Sequence, residues 1–272
     1  MHAFPKAVWR VMTLVVFPAL LSAQVFNGGV PVGYVCTGTC GVSPANGVVT
    51  LAPGGGSQFG WVSTATSTFL GNPLGVTNST NGSTLLSDVF TATVGQPLSF
   101  RFNYLTSDGS STFPDYAFVE LLGGGSPVVL FTAQTTPSGN TVPGFALPII
   151  APGVTLTPST TPIIAGAPDF APLGSSSGTC FDVGCGYTGW IGADYLVPTA
   201  GNYQLEFGVF NVADQNYQSA LGFDFATGAG GTPVVTPPVT ATPEPATMSL
   251  VATGLLGLWG AARRRRNTTN AA

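Results

Sequence analysis

Within residues 96–105 the side chains from 98 to 104 alternate without a break, with Leu98, Phe100, Phe102 and Tyr104 on one side and Ser99, Arg101 and Asn103 on the other. A period of two buries one face of a strand and frees the other, and it leaves a helix with no coherent apolar stripe. The alternation returns at 202–211, where Tyr203, Leu205, Phe207 and Val209 oppose Gln204, Glu206 and Gly208. Further strand candidates lie at Phe59–Ser63, 85–94, Tyr116–Leu122, 128–133, 190–197 and Ser219–Phe225. Gly95-Gln96-Pro97, Gly123-Gly124-Gly125 and Ala200-Gly201-Asn202 separate them with turn chemistry. Many strands with turns at short intervals predict an all-β chain folded as an antiparallel β-sandwich, jelly-roll-like. Residues 24–228 are enough for one such domain with a sizeable core. A Pro-, Thr-, Gly- and Ser-rich stretch at 135–178 interrupts the pattern; it is either an excursion over one face or two weak edge strands at 146–150 and 161–165. Asn78-Ser79-Thr80 and Asn81-Gly82-Ser83 match glycosylation acceptors and are read as polar turn residues.

Both ends of the chain read as targeting segments. Lys6 and Arg10 precede an apolar run at 11–21 and a small-residue site at Leu21-Ser22-Ala23, the pattern of a secretory signal peptide over residues 1–23. At the other end a Pro/Thr linker (229–242) leads to Pro243-Glu244-Pro245, an apolar run at 246–262 and then Arg263, Arg264, Arg265 and Arg266. Seventeen residues at about 1.5 Å each reach roughly 25 Å, just short of a hydrocarbon core of about 30 Å, so the run is expected to be a single transmembrane helix that spans only marginally. Its Gly and Ala residues would let a membrane enzyme approach closely. The arginines resist translocation, which places residues 267–272 in the cytoplasm and everything before Pro243 outside.

The order T-P-E-P-A-T-M-S-L-V-A-T-G-L-L-G-L-W-G-A-A-R-R-R-R over 242–266 resembles the PEP-CTERM sorting signal of bacterial surface proteins, with Thr242 where members often carry Val. The resemblance implies an exosortase, a membrane-embedded cysteine protease, as partner. It would cut at Pro243, Glu244 and Pro245 and pass the ectodomain to the cell surface, commonly alongside exopolysaccharide production. Residues 81–105 and 201–225 also resemble the β-sandwich ectodomains that accompany such tails, a likeness that implies architecture rather than activity.

Charge and chemistry narrow the rest. The whole chain carries a formal −4, but Lys6, Arg10 and the four tail arginines fall in the targeting segments, leaving Arg101 alone against ten acids and the ectodomain near −9. Nucleic-acid binding needs clustered cations, and there are none. An anionic surface also disfavours docking on anionic lipid. The single histidine is His2, so the ectodomain has no histidine base for a serine or cysteine nucleophile and no histidine ligand for zinc; it has no lysine either. Paired carboxylates of the glycosidase kind remain open, though spacing in a β-rich chain cannot single out a pair. The expectation is a protein that is not an enzyme.

Cys36 and Cys40, and Cys180 with Cys185, form two close pairs. Export favours disulfides, and two short bridged loops are the simplest of three connectivities. A tetracysteine zinc site is the other reading, but the pairs enclose three and four residues where two are usual.

Candidate ligand contacts are Trp61, Trp190 and Tyr187, as a platform for sugar rings or as core residues, and Arg101, as a grip on an acidic polysaccharide or a cross-strand partner of Glu120 or Glu206. Asp115, Asp194, Asp214 and Asp224 near strand ends could hold a structural calcium ion, although no consecutive ligand loop is present. No other cofactor is expected. The sequence thus predicts an exported protein of the cell surface or extracellular matrix, transiently anchored in the inner membrane. Its role would be a non-catalytic binding or structural one associated with exopolysaccharide. A carbohydrate-active enzyme is the runner-up, and an adhesin for protein the third reading.

Overall fold

A computed structural model describes residues 25–225. The signal peptide, the linker and the whole sorting segment, with Pro243, Glu244, Pro245 and Arg263 to Arg266, lie outside the described residues. Among the described residues no helix is long and apolar enough to cross a membrane.

Fourteen strands occur among them: β1 (Val35–Thr37), β2 (Thr39–Ser43), β3 (Phe59–Ser63), β4 (Ser79–Leu86), β5 (Phe90–Ala92), β6 (Pro97–Thr106), β7 (Tyr116–Leu122), β8 (Val128–Gln134), β9 (Thr155–Thr157), β10 (Ile164–Ala165), β11 (Gly186–Tyr187), β12 (Ile191–Leu196), β13 (Gly201–Val212) and β14 (Ser219–Phe225). One sheet has the order β1-β4-β13-β7-β8, with β5 prolonging β4 along β13. The second has the order β10-β11-β6-β14-β3-β2, with β12 prolonging β11 along β6 and β9 outside β12. The pairing is nested: β3 with β14, β4 and β5 with β13, β6 with β12, β7 with β8. Successive pairs fall in alternate sheets, which is the jelly-roll wrap that the strand pattern predicts.

The alternation in β6 and β13 points where it should. Leu98, Phe100, Phe102 and Tyr104 meet Leu205, Phe207 and Val209 in the space between the sheets, all essentially fully buried. Phe207 and Phe223 stack across that space with centroids 4.0 Å apart and planes 13° apart, and Phe102 packs 4.8 Å from Phe131. The outward faces are covered as well. Phe59, Leu105 and Ala220 of the second sheet lie under Val49, Phe170 and Leu173, while Tyr116, Phe118, Phe210 and Val212 of the first pack with Phe69, Leu74, Val76 and Leu147. Long loops therefore act as lids, and β14 is buried along its whole length.

Three expectations are corrected. The strand expected at 85–94 is two strands, because Ser87 leaves the line to exchange hydrogen bonds with the Leu205 backbone through both its N–H and its hydroxyl. Residues 79–83, read as a turn, begin β4: Asn81 is buried, and its Nδ2 donates to the carbonyls of Thr64 and Ser67 at 3.1 and 3.0 Å. Residues 146–150 are not a strand; the weak strands of the 135–178 excursion are β9 and β10, and the same stretch supplies Phe170 and Leu173 to one outward face and Leu147 to the other.

Both cysteine pairs are local disulfides, Cys36–Cys40 and Cys180–Cys185, with Cα atoms 6.0 and 5.8 Å apart. The first encloses the point where the chain leaves the first sheet after β1 and enters the second at β2. Gly38 makes the turn at φ +91°, where a Cβ would stand 2.3 Å from Ser83 Oγ and 2.6 Å from Ser67 Oγ. Gly38→Ala is expected to cost about 1–3 kcal/mol, because it adds both a strained dihedral and a clash. A urea-denaturation midpoint equal to that of the parent would refute this account of the crossover.

Candidate functional site

Strand register lays side chains in rows across the outward face of the second sheet. Thr157 of β9 stands opposite Gly192 of β12, Gly192 opposite Arg101 of β6, and Arg101 opposite Asp224 of β14. In the next row Thr155, Asp194 and Ser99 follow one another. Pro53, Arg101, Thr157, Trp190, Gly192 and Asp194 line a groove there of about 330 Å³, at the small end of the range for ligand pockets.

Gly192 decides how Arg101 lies. A Cβ at that position would stand 3.1 Å from Arg101 Nη1 and 3.6 Å from Cζ. The bare backbone lets the guanidinium rest over β12, on the side away from β14. Nη1 donates to the Phe100 carbonyl at 2.8 Å. Asp224, directly across in register, is occupied by backbone instead: Gly56 N–H donates to Oδ2 at 3.2 Å and Phe225 N–H to Oδ1 at 2.8 Å. Burial pushes the Asp224 carboxyl up to about 6, against the pull of those two bonds. Asp194 accepts from Ser99 Oγ at 2.5 Å. Among the described residues Arg101 is the one cation, and it forms no ion pair.

The expected cross-strand partners of Arg101 are elsewhere. Glu120 and Glu206 stand opposite each other on β7 and β13 of the first sheet. A period of two tells which face a residue takes but not which sheet its strand joins. Burial raises both carboxyls above their ordinary range, and the charge of Glu206 raises Glu120 further.

Trp190 stands half-buried at the groove, edge-on to Phe59 at 5.4 Å, with Nε1 donating to the Thr50 carbonyl at 2.9 Å. Trp61 and Tyr187 pack against the same outward cluster without lining the groove. Trp61 covers Gly41, where a Cβ would lie 2.5 Å from its ring. The three aromatic candidates thus share one apolar cluster, and Trp190 alone meets Arg101 at the groove.

The four candidate calcium acids are not brought together. Asp115 is buried between the sheets, accepting from Val212 N–H at 3.0 Å and from Ser219 Oγ at 2.6 Å, and burial holds its carboxyl well above the usual range. Asp194 is in the groove and Asp224 beside it, while Asp214 binds Asn216 between β13 and β14. Among the described residues no three His, Cys, Asp or Glu side chains are placed to share a metal ion. Gly192, Thr157 and Pro53 escaped sequence reasoning. A glycine inside an otherwise well-formed strand, where a backbone is approached closely, was the available signal for the first.

Chemically, the groove offers an aromatic edge, a planar fork of donors, a carboxylate acceptor and a threonine hydroxyl on a rigid sheet. Beyond the described residues, positions 241–266 match the family model of the PEP-CTERM protein-sorting motif. The chain carries a PEP-CTERM sorting motif after a β-sandwich ectodomain. The motif implies that the protein is exported, processed by an exosortase and carried to the cell surface. No curated protein matches the chain. Among solved structures, the K1 cleaved adhesin domain of Lys-gingipain from Porphyromonas gingivalis W83 is 12% identical over 73% of this chain and 92% of its own, with a TM-score of 0.32. The K2 domain of Lys-gingipain is 16% identical over 76% and 96%, with a TM-score of 0.34.

Proposed function

We propose that this protein is a non-catalytic binder of extracellular polysaccharide, held at the cell surface or in the matrix, and that the groove beside Trp190 is its binding site. The signal peptide starts export, and the 246–262 span anchors the precursor in the inner membrane until exosortase cuts at Pro243-Glu244-Pro245. The observation that carries the binding reading is the meeting of Trp190, Arg101 and Asp194 in one groove on a rigid sheet. Aromatic and hydrogen-bonding groups together suit a ring that is apolar on its faces and hydroxylated at its rim.

Two observations favour binding over hydrolysis. One carboxylate, Asp194, lines the groove, whereas glycoside hydrolysis takes two flanking the bond. The Glu120–Glu206 pair stands on the other sheet, away from the groove. The reading needs no cofactor. Cells carrying Glu244→Ala are expected to keep full-length precursor in the membrane and deliver little mature protein; unchanged delivery would sink the sorting part of the proposal. For the binding part, Trp190→Ala is expected to weaken retention on the host's extracellular polysaccharide by about tenfold or more, with circular dichroism showing that the fold is kept.

A further inference from the structure

Among the described residues Arg101 is a guanidinium that forms no ion pair, in a domain that has charge of the opposite sign to spare. Ten acids surround it in the sequence of the ectodomain, one of them directly across in register, and none pairs with it. The reason is structural: Asp224 is held by two backbone N–H groups and Asp194 by Ser99, while Gly192 draws the guanidinium away from β14 and into the groove. A half-buried guanidinium has lost part of its hydration, and with one hydrogen bond to Phe100 it keeps most of its five donors unspent. Its planar fork matches a carboxylate in two parallel hydrogen bonds, which hydroxyl groups do not reproduce.

We infer that the groove reads an acidic sugar: a uronate whose carboxylate pairs with Arg101, whose ring lies against Trp190 and whose hydroxyls donate to Asp194. The inference rests on the proposal that this groove binds polysaccharide, and it adds the class of sugar. Gly192 is the positioning residue, since any side chain there would meet Arg101 Nη1 and push the fork out of place. The net negative ectodomain repels a polyanion at a distance, so recognition depends on short-range contact in the groove, where screening by salt is weaker.

The test compares an oligogalacturonate with the same oligomer after its carboxyls have been reduced to alcohols, measured by calorimetry with the full chain in detergent. The acidic oligomer is expected to bind at least tenfold more tightly than the reduced one. Arg101→Gln and Gly192→Val are each expected to abolish that preference, while Arg101→Lys, which keeps the charge and loses the fork, retains part of it. Equal binding of both oligomers, lost only with Trp190→Ala, would overturn the acidic-sugar inference and leave the groove as a site for neutral sugar. Binding of either oligomer that survives Trp190→Ala and Arg101→Gln together, or no binding at all, would overturn the inference and take the groove with it.

Discussion

The ectodomain is expected to become less stable as pH rises from about 5 to about 8. Every carboxyl whose titration is displaced in the fold is displaced upward, and burial is the first cause in each. Asp108 reaches about 7 and Asp224 about 6, with Asp115, Glu120 and Glu206 also above their ordinary values. A carboxyl with a folded pKa above the unfolded value of about 4 binds more protons in the fold than in the unfolded chain. Its stabilising contribution is complete below about pH 4 and is lost as pH climbs through the folded value. For a fully buried group such as Asp108 the slope is at most about 1.4 kcal/mol per pH unit. Asp108 is the sharpest case: it is buried, Ser110 N–H donates to Oδ1 at 3.0 Å, and Oδ2 has no partner. The nearby charges of Asp214 and Asp182 add to the effect of burial. Asp108→Asn should therefore stabilise the protein near pH 8, change little near pH 5 and flatten the profile between. Urea-denaturation midpoints across that range check it, and a midpoint that rises with pH would contradict the sign.

The second large effect lies between the sheets. Phe207 and Phe223 are the closest aromatic pair in the core, one from each sheet, and Phe102 and Phe225 stand 6.4 and 6.3 Å from Phe207. Phe207→Ala removes a fully buried ring and leaves a cavity that two rigid sheets cannot close, for an expected loss of about 3–5 kcal/mol. That is a large part of the roughly 5–15 kcal/mol that holds a typical domain. Leu196→Ala, at a side chain 62% exposed on β12, is the control, expected to stay within about 0.5 kcal/mol. Comparable losses for the two would mean that the stacked pair is not the link between the sheets.

The core was legible because period two survives wherever one face meets the other sheet, as in Leu98 to Tyr104 and Tyr203 to Val209. It failed where loops cover the opposite face. Asn103, on the side expected to meet solvent, is buried, and so is Asn81, which among Ser79, Thr80, Gly82 and Ser83 looks like a turn residue until its own hydrogen-bond partners, Thr64, Ser67 and Asn211, are known. The site was legible as types and not as a place. Arg101 and Trp190 stand out by rarity and size, but their meeting depends on the register that puts Gly192 opposite Arg101 across 91 residues of chain. The mistaken partners Glu120 and Glu206 came from the same gap, since no local pattern states which sheet a strand enters.

The register also sets how force would travel through the molecule. The chain leaves the ectodomain toward the sorting motif after β14, a strand flanked on both sides by β3 and β6. Asp224, next to the last residue of that strand, stands opposite Arg101. With a polymer held in the groove as proposed, a pull between it and the C-terminal end of the domain would pass directly between two neighbouring strands, β6 and β14.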